Sequence, residues 1–499
     1  MVRFNVHLHG LIALVWALAL GFAAEAQPHA SAGNAAQEAL QLHALRFWQA
    51  VAAKPDDRGA LLKRHFSQRI REHNGESSLL KTLSMLADVL GHGMVTRVPS
   101  KVLGSERDGE LRYTLGDGRR VSLTLTLTDA DPPLIDSFAV RPLPPQVTAV
   151  TPKQLPAVIG ERVNAEFKAG RFSGAVLVAR GNTLIHAQAV GMADRKTGRP
   201  ITLDTPFNLG SINKMFTAIA IAQLKAAGKL DWQDTVGKHL PDFPNAIIRD
   251  QVTIHQLLTH TAGVGSYWNE AHAARRDSLT SQQAFLSTFV DRPLLFKPGQ
   301  GIEYSNGGPV ILGLIIEKLG GIDYYDYVRR HIYRPAGMKN ADHYRRDDQK
   351  AGFALGYIES DDGGWKDNQQ ELSMRGSAAG GGYASVRDLR AFSRALTDGH
   401  LLTKDQLEVL WKVHTQHGPI GYGYLFSVGN TSGERWIGHN GGAPGISAEF
   451  LHYPANGLVI IVLANQDRAA TAIREWLHAL VETSLIANRA SNAGKTLNP

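Results

Sequence analysis

Cysteine is missing from all 499 residues, which excludes disulfides, thiolate metal sites and a cysteine nucleophile. No H-E-x-x-H occurs, so the zinc-protease pattern has no support. No G-x-S-x-G occurs either, so the nucleophile elbow of an α/β-hydrolase is not available. Charge of one sign is also scarce: 53 Lys and Arg face 46 Asp and Glu, a net charge of +7 without a dominant basic run. That balance describes a mixed, solvated surface rather than a nucleic-acid stripe. Long apolar runs are lacking beyond residues 11–23, a stretch too short to span a bilayer comfortably. With Arg3 before it and Ala24-Glu25-Ala26 after it, this run reads as an export signal over 1–26, cleaved before Gln27, with an uncleaved membrane anchor as the alternative. No cysteine stands there to carry a lipid, and no stable membrane insertion is expected once the signal is removed. Export without cysteine points to a bacterial periplasm or the medium.

What is present divides the chain. A chain this long exceeds a single core. After a Gly/Ala/Ser/Asn-rich spacer near 31–36, helical patterns run over 37–53 and 58–91, with Pro55-Asp56-Asp57 as stop and restart. The period then changes to strands at 102–103, 111–115, 121–128 and 135–140, with Asp117-Gly118 as a hairpin turn. We therefore expect a small α+β domain over 37–143. A proline-rich linker at 141–146 leads to a second organisation. It has a helix over 154–169, strands at 172–180 and 183–190, a long helical middle, and strands at 422–428, 435–439, 448–453 and 458–465. A final helix covers 469–487. That order predicts one antiparallel sheet built from both ends of the domain, with helices inserted between them. The expected domain spans 150–487, followed by a tail at 488–499.

The stretch Asn208-Leu209-Gly210-Ser211-Ile212-Asn213-Lys214 opens an apolar run through Ile219, Ile221 and Leu224. Ser211 and Lys214, three residues apart on a helix, share a face within hydrogen-bond reach. A serine hydroxyl needs a neighbour to take its proton, and a lysine neutralised by burial can do so. The backbone N–H of a residue in a first helical turn is free to stabilise an oxyanion. By spacing alone, S-x-x-K also describes a capping serine with a solvated lysine. Three further stretches raise its significance: Gly301-Ile302-Glu303-Tyr304-Ser305-Asn306-Gly307, Gly438-His439-Asn440-Gly441-Gly442-Ala443-Pro444-Gly445, and the segment from Thr253 to Gly263. His255 and His260 in the last are read as packing residues at a helix end, and Gly380-Gly381-Gly382 as a tight turn rather than a phosphate cradle. The aromatics Tyr267, Trp268, Tyr324 and Tyr325 fit a cleft lining or a core equally well.

Taken together, Ser211-Ile212-Asn213-Lys214, Tyr304-Ser305-Asn306 and His439-Asn440-Gly441 resemble the serine β-lactamase-like family. That group holds class C β-lactamases, D-Ala-D-Ala carboxypeptidases, D-aminopeptidases and lactamase-fold esterases. The stretches 379–385 and 453–458 are similar as well. The resemblance implies an α/β (α+β) β-lactamase/transpeptidase-like fold, an antiparallel sheet flanked by helices with a helical subdomain. It implies Ser211 as the acylated nucleophile, Lys214 as its proton partner, and Tyr304, its phenol acidified by nearby cations, as base or shuttle, with His439 counted among the catalytic residues. It further implies Asn306, Asn440, Gly441 and Gly442 as substrate-binding residues, with the N–H groups of Ser211 and Gly442 as oxyanion donors. His439 stands where many relatives carry lysine; a histidine near neutral pH is mostly uncharged. A carboxylate such as that of a penicillin is then held less firmly. The helices and sheet of 37–143 resemble the nuclear transport factor-like cone fold, a match at the level of pattern that suggests binding or pairing as a homodimer.

These readings converge on an exported serine hydrolase needing no cofactor and no metal, with a small-molecule or peptide substrate and no nucleic acid. A small ester or a D-amino-acid peptide is the expected substrate. The alternatives are a β-lactamase acting on penicillins or cephalosporins, and a non-catalytic penicillin-binding-like ligand or cell-wall sensor.

Overall fold

The computed structural model describes residues 32–90, 101–105, 107–115, 120–143, 145–348, 352–360, 363–417, 420–431 and 433–486. The expected signal at 1–26, the Asp117-Gly118 turn and the tail at 488–499 lie outside the described residues. Among the described residues no helix is long and apolar enough to cross a membrane. The chain separates into two units, Met1–Pro145 and Gln146–Pro499.

In the first unit the apolar residues of α1 (Ala32–Ala52) recur at Leu40, Ala44, Phe47, Trp48 and Val51, one helical stripe, and all are buried. That stripe packs with Leu62 of α2 (Pro55–His65) and with Leu79 and Leu83 of α4 (Glu76–Leu90). Opposite them lie Leu111 of β2 (Asp108–Thr114) and Leu123 and Leu125 of β3 (Arg120–Leu127). With β1 (Lys101–Gly104) and β4 (Ile135–Leu143) these make a four-stranded antiparallel sheet in chain order.

Two expectations need correction here. The spacer near 31–36 is helical from Ala32. The single helix over 58–91 is three: α2, α3 (Gln68–Asn74) and α4. Phe66 is extended, Ser67 N–H donates to the Ile135 carbonyl at 2.8 Å, and the Ser67 hydroxyl accepts from Ile70 N–H. Strand pairing and an N-cap thus outweigh helix continuation. Gly75, at φ 75°, then ends α3 in a backbone region open to glycine.

The second unit is organised on an eight-stranded antiparallel sheet. Its chain order is β5 (Gly174–Arg180), β6 (Thr183–Val190), β7 (Thr415–His417), β8 (Ile420–Tyr422), β9 (Ser427–Thr431), β10 (Glu434–Ala443), β11 (Ile446–Tyr453) and β12 (Leu458–Ala464). In space the order is β7-β8-β9-β10-β11-β12-β5-β6, so the first and last strands of the unit meet at β12–β5. Every residue of β12 is buried, as its unbroken apolar run requires when both faces are covered. One face receives α5 (Leu155–Lys168) through Leu155, Ile159 and Val163, and the C-terminal helix (Ala469–Val481) through Ala470, Ile473 and Leu477. On the other face Ala175, Leu177 and Ala179 of β5 join the core over which the helix Val386–Thr397 packs, and the same core takes in α6 (Asn213–Ala226), which is buried nearly all round.

The strand expected over 422–428 is broken at 423–426 by the turn between β8 and β9. Gly423 N–H donates to the Phe426 carbonyl at 2.9 Å and Leu425 has φ 56°. The turn's other amides bond elsewhere: Tyr424 N–H to Leu410 and Leu425 N–H to Leu258. The strand expected over 435–439 extends to Ala443 and carries the glycine-rich segment with it.

Candidate active site

Ser211 sits in a single 3-10 turn, Gly210–Ile212, that runs directly into α6. The turn needs Gly210, at φ 50°, where a Cβ would fall 2.7 Å from the Gly442 nitrogen. It lies against β10 past the end of β9, since the β9 pairing stops at Gly438. A Cβ on Gly441 would stand 1.9 Å from the Leu209 carbonyl oxygen and 3.0 Å from the Ser211 nitrogen. Gly441 therefore permits the close approach of two backbones, and neither it nor Asn440 lines the cleft. Gly442 does line the cleft, together with Ser211, Tyr304 and Asn306.

Lys214 is fully buried. Its Nζ lies 3.0 Å from Ser211 Oγ, 2.7 Å from Asn306 Oδ1 and 2.7 Å from the Ala379 carbonyl oxygen. Asn306 is oriented by its own amide nitrogen, which donates to Ser266 Oγ at 3.1 Å. Burial alone pushes the Lys214 amine well below the usual lysine range.

Tyr304 leaves 37% of its surface open, and its ring has Lys214 Nζ 4.8 Å from the centroid. His260 and His439 flank it at ring-centroid separations of 4.7 and 6.2 Å. Packing raises the phenol above the ordinary tyrosine value, and the contact with Ser211 only partly opposes this. The phenol is thus raised where acidification by nearby cations was expected. Burial, then the Lys214 charge, brings the His439 imidazole down to about 4, and the same causes in the same order hold His260 well below the usual histidine value.

Several residues at the site were given no role there by the sequence, which read His260 as packing. His260, at φ 61°, accepts from Ser305 N–H at its Nδ1 (3.2 Å) and so fixes the Tyr304-Ser305-Asn306 turn. Ser305 completes that turn, donating to the Gly265 carbonyl and accepting from Gly308 N–H. Asn213 and Thr217, one turn apart on α6, hold the 377–379 loop: Asn213 Nδ2 donates to the Ser377 carbonyl at 3.1 Å and Thr217 Oγ1 to the Ala378 carbonyl at 2.7 Å. The loop in turn presents the Ala379 carbonyl to Lys214. A visible signal was the polarity of Asn213 and Thr217 within an otherwise apolar helix.

The cleft encloses about 1020 Å³, its open mouth included. One wall is aromatic, with Tyr267, Phe285 and the 44%-exposed Trp268. Tyr324 and Tyr325 are buried and do not line it. Its charged lining residues are Arg346 and Arg375.

A serine hydroxyl 3.0 Å from a buried lysine amine whose pKa burial depresses, at the foot of such a cleft, suits the chemistry of acyl transfer. The chain belongs to the Beta-lactamase family, whose family model matches residues 157–483, and it is a serine hydrolase of that family. It is 31% identical over 315 residues to Penicillin-binding protein 4* of Bacillus subtilis (strain 168), covering 60% of this chain and 69% of that protein. Over 202 residues it is 33% identical to Esterase EstB of Burkholderia gladioli, spanning 37% of this chain and about half, 51%, of the esterase. A solved penicillin binding protein from Bacillus halodurans superposes with a TM-score of 0.60 at 31% identity, covering 64% of this chain and 98% of that one.

Proposed function

We propose that the protein is an exported hydrolase that cleaves a small ester or a D-amino-acid peptide through an acyl-enzyme on Ser211. The observation that carries this reading is the set of three oxygens around Lys214 Nζ. Two of them, Asn306 Oδ1 and the Ala379 carbonyl, can only accept. A neutral amine gives its two N–H groups to these and turns its lone pair to the Ser211 hydroxyl.

Lys214 then takes the Ser211 proton as Oγ bonds to the substrate carbonyl carbon. The carbonyl electron pair moves to oxygen, facing the N–H groups of Ser211 and Gly442, each donor worth roughly 3–4 kcal/mol in related chemistry. Tyr304, kept protonated by its surroundings, gives its proton to the leaving oxygen or nitrogen and recovers one from Lys214. Water repeats the sequence on the acyl-enzyme. Asn306 serves the substrate amide or ester while holding Lys214. His439 contributes shape and polarity rather than charge.

The aromatic wall suits an apolar acyl group, and the esterase and penicillin-binding relatives favour the two substrate classes named. The export reading rests on the sequence of residues 1–26. The N-terminal unit we propose as a cone-like pairing unit.

The test is intact-protein mass after incubation with p-nitrophenyl esters, nitrocefin or a D-Ala-D-Ala peptide, run beside Ser211→Ala. An acyl adduct on the wild type alone, released with product, is expected. Full turnover by Ser211→Ala would sink the mechanism.

A further inference from the structure

We propose that Arg375 is a carboxylate anchor in this cleft, so that the preferred substrates carry an anionic group away from the scissile carbonyl. This rests on the hydrolase reading above. The two arginines of the cleft differ in what they already hold. Arg346 donates to the carbonyls of Gln369 (2.9 Å) and Leu372 (2.6 Å) and pairs with Asp277, so its fork and its charge are occupied.

Arg375 is fixed without being neutralised. Its backbone N–H donates to the Leu279 carbonyl at 3.0 Å, its Nε to the His343 carbonyl at 2.8 Å, and its guanidinium carbon lies 3.6 Å from the Tyr325 ring centroid. Tyr325 is itself tied by its hydroxyl, which donates to the carbonyls of Thr280 (3.1 Å) and Gly376 (2.8 Å). Among the described residues no carboxylate pairs with Arg375 and no acceptor engages its two terminal nitrogens. The cleft lining contains no Asp or Glu that could.

A rigid guanidinium with its outer edge free matches a carboxylate in bidentate fashion, and little entropy is lost on binding because stacking has already ordered the side chain. Position makes this relevant to catalysis. Arg375 directly precedes the loop whose Ala379 carbonyl holds Lys214, and a Cβ on Gly380 would stand 3.7 Å from the Ser211 nitrogen. The uncharged His439 leaves the β10 side of the site without a cation. The positive charge for an anionic substrate therefore comes from the opposite loop.

The test compares matched substrates that differ only in a carboxylate. On the acyl side these are the mono-p-nitrophenyl ester of adipic acid and p-nitrophenyl hexanoate; on the leaving side, N-acetyl-D-Ala-D-Ala and its C-terminal amide. The wild type is expected to prefer the anionic member on one side, which identifies where the carboxylate sits. In Arg375→Gln the ratio of kcat/KM, anionic over neutral, falls roughly 10- to 100-fold, carried by KM. Arg375→Lys, which keeps the charge but not the fork, recovers part of it. An equal loss on both members of a pair, or no wild-type preference on either side, overturns the assignment. Calorimetric binding of adipate and of N-acetyl-D-alanine to Ser211→Ala, with and without Arg375→Gln, separates the two readings. Binding lost with Arg375 but no turnover anywhere would leave the anchor standing and refute the hydrolase mechanism. Binding of neither anion would refute the anchor.

Discussion

Replacing Lys214 with methionine tests whether the buried amine is uncharged. Neutralising an ordinary lysine at pH 7 costs on the order of 5 kcal/mol, and nothing near Lys214 offsets it with a negative charge: burial is the whole cause of its depressed pKa. Methionine removes that cost. It also strands Asn306 Oδ1 and the Ala379 carbonyl, at about 1–3 kcal/mol for each buried acceptor. The two changes nearly cancel at pH 7, so stability at one pH decides nothing.

The slope with pH decides. Below the folded-state pKa of Lys214 both states hold the proton. Between that value and the unfolded lysine value only the unfolded state holds it, so wild-type stability rises with pH, by about 1.4 kcal/mol per pH unit. Urea unfolding of the wild type and of Lys214→Met at pH 7, 8 and 9, followed by tryptophan fluorescence, should give a stability difference that moves in the wild type's favour by about 3 kcal/mol over the two units. Hydrolysis by the variant should fall at least about 10²-fold through loss of the general base. A stability difference flat across this range would mean that Lys214 stays protonated in the fold, and the proton path from Ser211 to Lys214 would fail with it.

Asn306→Asp places a carboxylate where an amide oxygen now lies 2.7 Å from Nζ; the ammonium form gains, and the acid limb of the kcat/KM profile should move up by roughly 1–3 pH units. Because Tyr304 is held above the ordinary tyrosine pKa, no alkaline limb should appear below pH 9, and Tyr304→Phe should lower kcat roughly 10²-fold without shifting the acid limb; a wild-type limb centred near pH 7–8 would contradict the assignment of a protonated shuttle. Gly441→Ala drives a methyl to 1.9 Å from the Leu209 carbonyl oxygen and must displace the serine turn, so kcat/KM should drop by about 10²-fold while circular dichroism stays that of the wild type.

Much of the hydrolase unit was legible because its signals are local. The apolar run after Ser211, the Tyr304-Ser305-Asn306 turn and the glycines of β10 each carry their meaning within a few residues, and the structure gathers Ser211, Lys214, Tyr304 and Asn306 around one cleft. What escaped depends on partners distant in sequence. The strand expected over 422–428 has the composition of a strand, but its amides are claimed by Leu410 and Leu258. The break after Phe66 similarly requires Ile135. His260 reads as a packing histidine until Ser305 arrives 45 residues later to donate to it.

The charge state of the site was the least legible property, and it has the largest chemical consequence. Serine, lysine, tyrosine and histidine in one constellation suggest cations that acidify one another. That inference assumes solvent enough to keep them charged. Lys214, His260 and His439 are all buried, among the described residues none of them pairs with a carboxylate, and burial shifts each toward its uncharged form. Tyr304, its ring packed between His260 and His439, is raised rather than acidified. The pattern of residue types fixes which groups can exchange protons, whereas the direction of exchange follows from the water their packing excludes. In the proposed mechanism that direction runs from Ser211 to Lys214, leaving Tyr304 to donate.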